Sequence, residues 1–219
     1  MKTLFVLKAL AVSFLFLSVA AGAAEVGQVI ADFSNGVDGN GVPKGWQLQE
    51  KSGKADFAVV KDEDLNAVRF RSANTSFSLQ KAVNVNLKQF PVLTWKWKVT
   101  KLPVGGDFRN SKTDDQAAQL FLAFSRTKAI VYIWDTTAPQ GTMGKAAAPY
   151  PMSIKTVVVR SGAAEMGKWV TEVRNVYEDY RKLFGDEPLE VAGVRLQINS
   201  QHTKTSAESY FANVVFTKQ

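Results

Sequence analysis

The stretch Val92-Leu93-Thr94-Trp95-Lys96-Trp97-Lys98-Val99 decides the fold. Leu93, Trp95, Trp97 and Val99 fall on one parity, and Val92, Thr94, Lys96 and Lys98 on the other. A two-residue period of this kind is a strand with one buried and one open face. Aromatic and β-branched side chains suit that pleated surface. Two Trp on the apolar parity read as core, because a buried indole removes a large area from water.

The same alternation recurs on either side. In 66–71, Val68 and Phe70 oppose Arg69 and Arg71; in 75–80, Phe77 and Leu79 oppose Ser76, Ser78 and Gln80. Further short strands are expected at 28–33, 117–124, 129–134, 153–160, 168–174, 191–198 and 210–216, separated by turn-rich segments such as Ser34-Asn35-Gly36-Val37-Asp38-Gly39-Asn40-Gly41. Many short strands at this spacing predict an all-β protein, an antiparallel β-sandwich of jelly-roll type. One short helix is expected at about 176–184. Asn175 is placed as its N-cap, with Glu178 three residues on. Val176, Tyr180, Leu183 and Phe184 form its apolar stripe, and Gly185 and Pro188 end it.

The chain has 219 residues, 46% hydrophobic and 21% charged, with one His and no Cys. This is a globular composition. Without Cys there is no disulfide, thiolate metal site or thiol nucleophile, and a single His leaves no multi-histidine metal centre. Lys2 and Lys8, the apolar run from Ala9 to Ala20 and the cleavage pattern Ala21-Gly22-Ala23 read as a secretory signal peptide over residues 1–23. Residues 24–219 are then one β-sandwich domain, periplasmic or secreted, with no membrane span and expected as a monomer. Losing Lys2 and Lys8 lowers the net charge from +7 to +5. That excess is spread along an exported chain, so nucleic acid is not expected as a partner; anionic envelope material suits it better.

The catalytic templates are absent. There is no G-x-S-x-G and no P-loop, and His202 lies in a polar run that reads as a solvated loop. Asp114 and Asp115 precede a strand, Asp135 ends one and Glu172 lies within another. Across one cleft, two such carboxylates would serve glycoside hydrolysis. Trp134 ends a strand, followed by Asp135 and the long loop 136–151, so it reads equally as a stacking platform and as core. Arg195, Gln197 and Asn199 share the face opposite Val194, Leu196 and Ile198. Lys96, Lys98, Glu172 and Arg174 likewise point away from apolar neighbours and read as a solvated face. Arg174, just before the helix cap, suits either a ligand or an ion pair with Asp115, Asp135 or Glu172 that fastens the helix.

Trp95-Lys96-Trp97-Lys98-Val99, Asp114-Asp115-Gln116-Ala117-Ala118, Tyr132-Ile133-Trp134-Asp135 and Arg174-Asn175-Val176-Tyr177-Glu178-Asp179-Tyr180 together resemble the bacterial domain-of-unknown-function family numbered 3047. The resemblance runs from Ile30 to Phe216 and implies an exported β-sandwich with no assigned activity. Ile30-Ala31-Asp32-Phe33 and Tyr210-Phe211-Ala212-Asn213-Val214-Val215-Phe216 resemble the paired terminal strands of galactose-binding-like jelly rolls, the fold of many carbohydrate-binding modules. Such modules often hold a structural calcium through acids in the last strand. Here Ala212 and Asn213 stand there, which argues against the metal, and no cofactor is expected. The function expected is a non-catalytic exported protein binding a glycan or another polar envelope component. Trp134 would stack, Asp135 and Asp115 would accept hydroxyl hydrogen bonds, and Arg174, Gln197 and Asn199 would donate them. The alternatives are a glycan-active enzyme using paired carboxylates and a periplasmic adaptor that docks through the 136–151 loop.

Overall fold

The alternating stretches become strands whose apolar parity faces a shared interior. A computed structural model describes residues 27–146 and 150–218; the segment read as a signal peptide lies outside these residues. In chain order the elements are β1 (Gln28–Ala31), β2 (Gln47–Ser52), β3 (Asp56–Asp62), β4 (Leu65–Ala73), β5 (Ser76–Val85), β6 (Val92–Lys101) and β7 (Ala118–Ala123). They continue with β8 (Lys128–Asp135), β9 (Met143–Lys145), β10 (Ser153–Ser161), β11 (Val170–Asn175), α1 (Val176–Phe184), β12 (Val191–Asn199) and β13 (Ser206–Thr217). The first sheet runs β11-β6-β13-β4-β3, with β1 added beside β13, and the second runs β2-β5-β12-β7-β8-β10-β9. Among β4 to β8 and β11 to β13, successive strands change sheet at every step except β7 to β8. That interleaving is the jelly roll. Among the described residues no helix is long and apolar enough to cross a membrane.

Every strand pair is antiparallel except one. β10 runs parallel to β8, from Ser153 opposite Lys128 to Ser161 opposite Asp135. A parallel partner requires a crossover of a dozen or more residues, and the segment between β8 and β10, which includes β9, is that crossover.

Trp95 and Trp97 are fully buried between the sheets. Trp95 stacks on Tyr132 from the second sheet with ring centroids 5.4 Å apart, and Trp97 lies 5.9 Å from Trp134. The helix begins and ends as its caps dictate. Asn175 Oδ1 accepts from the Glu178 backbone N–H at 3.0 Å, and Gly185, at φ 78°, donates its N–H to Arg181 O.

The face containing Glu172 and Arg174 is not solvated. Thr171 and Val173 are the exposed residues of β11, Val173 at 62%, so Glu172 and Arg174 turn inward. Glu172 accepts from Trp97 Nε1 at 3.0 Å and from Arg160 Nε of β10 at 2.6 Å, joining the edges of the two sheets. Arg174 pairs with none of Asp115, Asp135 and Glu172. Its guanidinium forks onto Asp179 of α1, which also accepts from Tyr132 Oη at 2.7 Å. Lys98 is buried too, ion-paired with Asp62 and lying 5.2 Å and 4.8 Å from the rings of Trp169 and Tyr210.

Candidate ligand-binding groove

The outer face of the second sheet divides into a covered half and an open half. On β8 and β10 the outward side chains Val131, Ile133 and Val158 are apolar and buried, packed under Phe108 and Ala138 from the loops that follow β6 and β8. Asp135 holds those two loops together. Its carboxylate accepts the backbone N–H groups of Phe108 at 3.0 Å, Thr137 at 2.8 Å and Ala138 at 2.7 Å. Burial pushes its pKa up, and the three backbone bonds oppose that shift. Of the 136–151 loop, offered above as a docking element for a partner, Ala138 is buried on its own sheet and β9 pairs with β10, whereas Tyr150 is 98% exposed.

Among the described residues no loop covers β2, β5, β12 and β7 in this way, and strand register fixes what their outer face displays. One row across the sheet reads Ala82, Gly193, Ala123, Ala129, Ile154. The next reads Gln47, Gln80, Arg195, Phe121, Val131, and the one after reads Gln49, Ser78, Gln197, Gln119, Ile133. The small residues of the first row lower the floor, leaving a groove of about 490 Å³ between larger neighbours. Gln47, Gln80, Arg195 and Phe121 line one side, and Arg126, Lys128, Met152 and Ile154 the other. A second depression of about 280 Å³, lined by Gln49, Ser78 and Gln197, shares Gln80 and Arg195 with the first. Glu50 and Lys51 also line the second, and the two depressions, meeting at Gln80 and Arg195, make up the trench.

Phe121 is half-buried, with its ring beneath Arg195; the guanidinium carbon lies 5.5 Å from the ring centroid. Arg195 Nη2 reaches Gln80 Oε1 at 3.4 Å, a long contact. The walls of the groove take water away from Arg195 and push its pKa down from the usual arginine value. Chemically the trench offers an apolar ring, several amides with both donors and acceptors, and a guanidinium.

Few of the residues singled out from sequence lie in it. Gln197 does, half-buried in the second depression. Asn199 is on the same face but is enclosed. It accepts from the Gln116 N–H at 2.9 Å and from Gln119 Nε2, and donates to Asp114 O at 2.7 Å, so its amide is already engaged. Asp115, fully buried, accepts the Thr203 N–H at 2.6 Å and has its other oxygen 3.4 Å from His202 Nδ1. Trp134 is core, 1% exposed, with Nε1 donating to Gly162 O at 2.9 Å. A ring enclosed on both faces cannot stack on a ligand. Arg174 and Asp135 serve the networks described above, away from the groove lining. Asp115, Asp135 and Glu172 occupy three separate networks and line no common cleft.

Of the residues that define the groove, Gln80 and Arg195 read from sequence only as polar strand-face positions, and Phe121 and Gln47 carry no such reading. Their signal is cross-strand register, which a linear pattern does not carry. At the last-strand position that the resemblance gives to a calcium-holding acid, Ala212 has no side-chain oxygen.

The class defined by these observations is a jelly-roll β-sandwich with one half of one sheet left open as a polar, aromatic-floored trench. Residues 44–215 match DUF3047, described as "Protein of unknown function (DUF3047)", and the chain belongs to that family. No curated protein matches the sequence. Among solved structures, the family 11 carbohydrate-binding module of the cellulosomal cellulase Lic26A-Cel5E of Clostridium thermocellum is similar at 9% identity with a TM-score of 0.48, covering 90% of this chain and 97% of that one. The xyloglucanase domain of NopAA, a type three effector from Sinorhizobium fredii, solved in complex with cellobiose, is similar at 10% identity with a TM-score of 0.49, covering 80% and 94%.

Proposed function

We propose that the protein is an exported, non-catalytic glycan-binding protein and that the trench over β5, β12 and β7 receives the sugar chain. The observation that carries this is the half-buried ring of Phe121 on an uncovered sheet face, flanked in register by Gln80, Arg195 and Gln47. A pyranose has an apolar C–H face and a rim of hydroxyls. Phe121 suits the first, and amides that both donate and accept suit the second. All of these side chains stand on paired strands, so they are held before a ligand arrives. Binding without cleavage is supported by the scatter of Asp115, Asp135 and Glu172, since hydrolysis needs two carboxylates across one bond. Export rests on the pattern of residues 1–23.

The test is a glycan array of neutral and acidic polysaccharides, followed by calorimetry on the hits with wild-type protein and Phe121→Ala. The variant is expected to lose about tenfold or more in affinity. Its melting temperature is read alongside, to show that the sheet is intact. No binding anywhere in the panel, or wild-type affinity in Phe121→Ala, overturns the reading.

A further inference from the structure

The charge of the trench narrows the kind of sugar. The chain contains eight arginines. Six of them, Arg69, Arg71, Arg109, Arg160, Arg174 and Arg181, lie within 4.0 Å of a carboxylate. The two that have no carboxylate partner among the described residues are Arg126 and Arg195, and both line the same groove. No Asp or Glu is among the residues lining the larger depression, whereas Lys81 and Lys128 are; the second holds Glu50, which accepts the Ala55 N–H at 2.7 Å, beside Lys51. Those two lysines are partly committed, Lys81 to Ile30 O at 2.9 Å and Lys128 to Asp186. The two arginines have no carboxylate within 4.0 Å among the described residues; Arg195 has the long contact to Gln80 and the Phe121 ring.

Resting on the glycan-binding reading, we propose that the ligand is a sugar chain carrying carboxylates, a uronic-acid polymer, and that Arg195 is the receptor for one carboxylate with Arg126 adding charge at the rim. Arg195 stands on β12, a central strand, between Gln80 and Phe121. The Phe121 ring centroid lies 5.5 Å from its guanidinium carbon, and a planar carboxylate can be met by the guanidinium's fork in two parallel N–H···O bonds. A uronate carries its carboxylate on the same ring whose apolar face would lie on Phe121, so both contacts can be made to one sugar unit. Arg195 is exposed on the groove surface, and its neighbours there push its pKa down without an opposite charge to offset them. An anionic ligand supplies the missing partner. A neutral chain leaves Arg195 with only the 3.4 Å contact to Gln80.

The experiment compares oligogalacturonate, its methyl ester and neutral oligogalactan by calorimetry on the full mature chain. The free acid is expected to bind at least about tenfold tighter than its methyl ester. Its affinity is expected to fall between about 50 and about 500 mM salt, as charge contacts are screened. In Arg195→Gln the ratio of acid to ester affinity should collapse towards one, with Arg195→Lys between the two, because it keeps charge and loses the fork. Arg126→Gln, on an exposed turn, provides a second variant with a smaller drop and a stronger salt signature. If the ester or the neutral oligomer binds as tightly as the acid, the carboxylate inference is overturned while glycan binding stands. If a sulfated polymer such as dextran sulfate binds as tightly as the uronate, the trench reads charge alone, and the carboxylate assignment also fails. If no oligomer binds and the wider array is silent, both readings fall.

Discussion

Replacing Arg174 with Ala removes the clamp between α1 and the sandwich, and the cost follows from the geometry. Arg174 Nε donates to Asp179 Oδ2 at 2.9 Å and Nη2 donates to Oδ1, so two charge-assisted bonds disappear together. Asp179 is 7% exposed and would keep only the Tyr132 hydroxyl at 2.7 Å. Breaking a fully buried pair on one side costs about 3–5 kcal/mol. The Arg174 side chain is 31% exposed, so water reaches part of the vacated site, and about 2–3 kcal/mol is the expected loss. For a domain of this size that lowers Tm by roughly 5–10 °C. Thermal unfolding followed by circular dichroism measures it. A double-mutant cycle with Asp179→Ala should return a coupling of about 2 kcal/mol, because the pair is removed as a unit. Arg174→Lys should fall between wild type and Arg174→Ala. Ligand affinity in the groove should not change, since Arg174 lies on the interior side of β11. A drop in Tm below about 2 °C, or additive single variants, would refute the clamp.

Two further outcomes are expected. Trp97→Ala should cost about 3–5 kcal/mol in urea unfolding, from the cavity it leaves and the loss of the Nε1 bond to Glu172; a cost under about 1 kcal/mol would show that the interior collapses around the gap. Asp107, held by the Arg109 guanidinium at a pKa of about 2 against the ordinary 3.8, binds fewer protons folded than unfolded. Its contribution to stability is therefore complete above the unfolded value and disappears as pH falls through the folded one. Wild type should exceed Asp107→Asn in stability at pH ~6, and the gap should close by pH ~2; a gap unchanged at the acid end assigns the effect to something other than this pair.

What could be read from the sequence depended on whether the cause was local. Trp95 and Trp97 announce a buried face because their neighbours Lys96 and Lys98 alternate with them. The helix is legible from Asn175 to Gly185 because capping is decided within a few residues. Trp134 reads as ambiguous beside its loop, yet 130–134 is apolar on both parities, the pattern of a strand covered on both faces, and that argues for core. β2 was not anticipated, because Gln47–Ser52 carries little apolar alternation and forms at the sheet edge through its pairing with β5. The trench was illegible for a stronger reason. Ala82, Gly193 and Ala123 come from separate parts of the chain and meet only through register, and Arg195 gains its meaning from lacking the carboxylate partner that the arginines outside the groove have.

The interleaving of the two sheets also governs when the molecule can form. β12 lies between β5 and β7, and β13 lies between β6 and β4 while also carrying β1. Each of these central strands follows, in the chain, every strand it pairs with. A polypeptide delivered N-terminus first can form the β3–β4 and β7–β8 hairpins, but neither sheet has its middle until β12 and β13 arrive. The closing contacts are far apart in sequence, such as Phe216 with Gln28, so ring closure over most of the chain precedes the stabilisation it brings. Folding should therefore be slow and should complete only once these last two strands are present. Truncation before Ser206 should leave no stable remnant, because it removes the strand on which the whole first sheet is assembled.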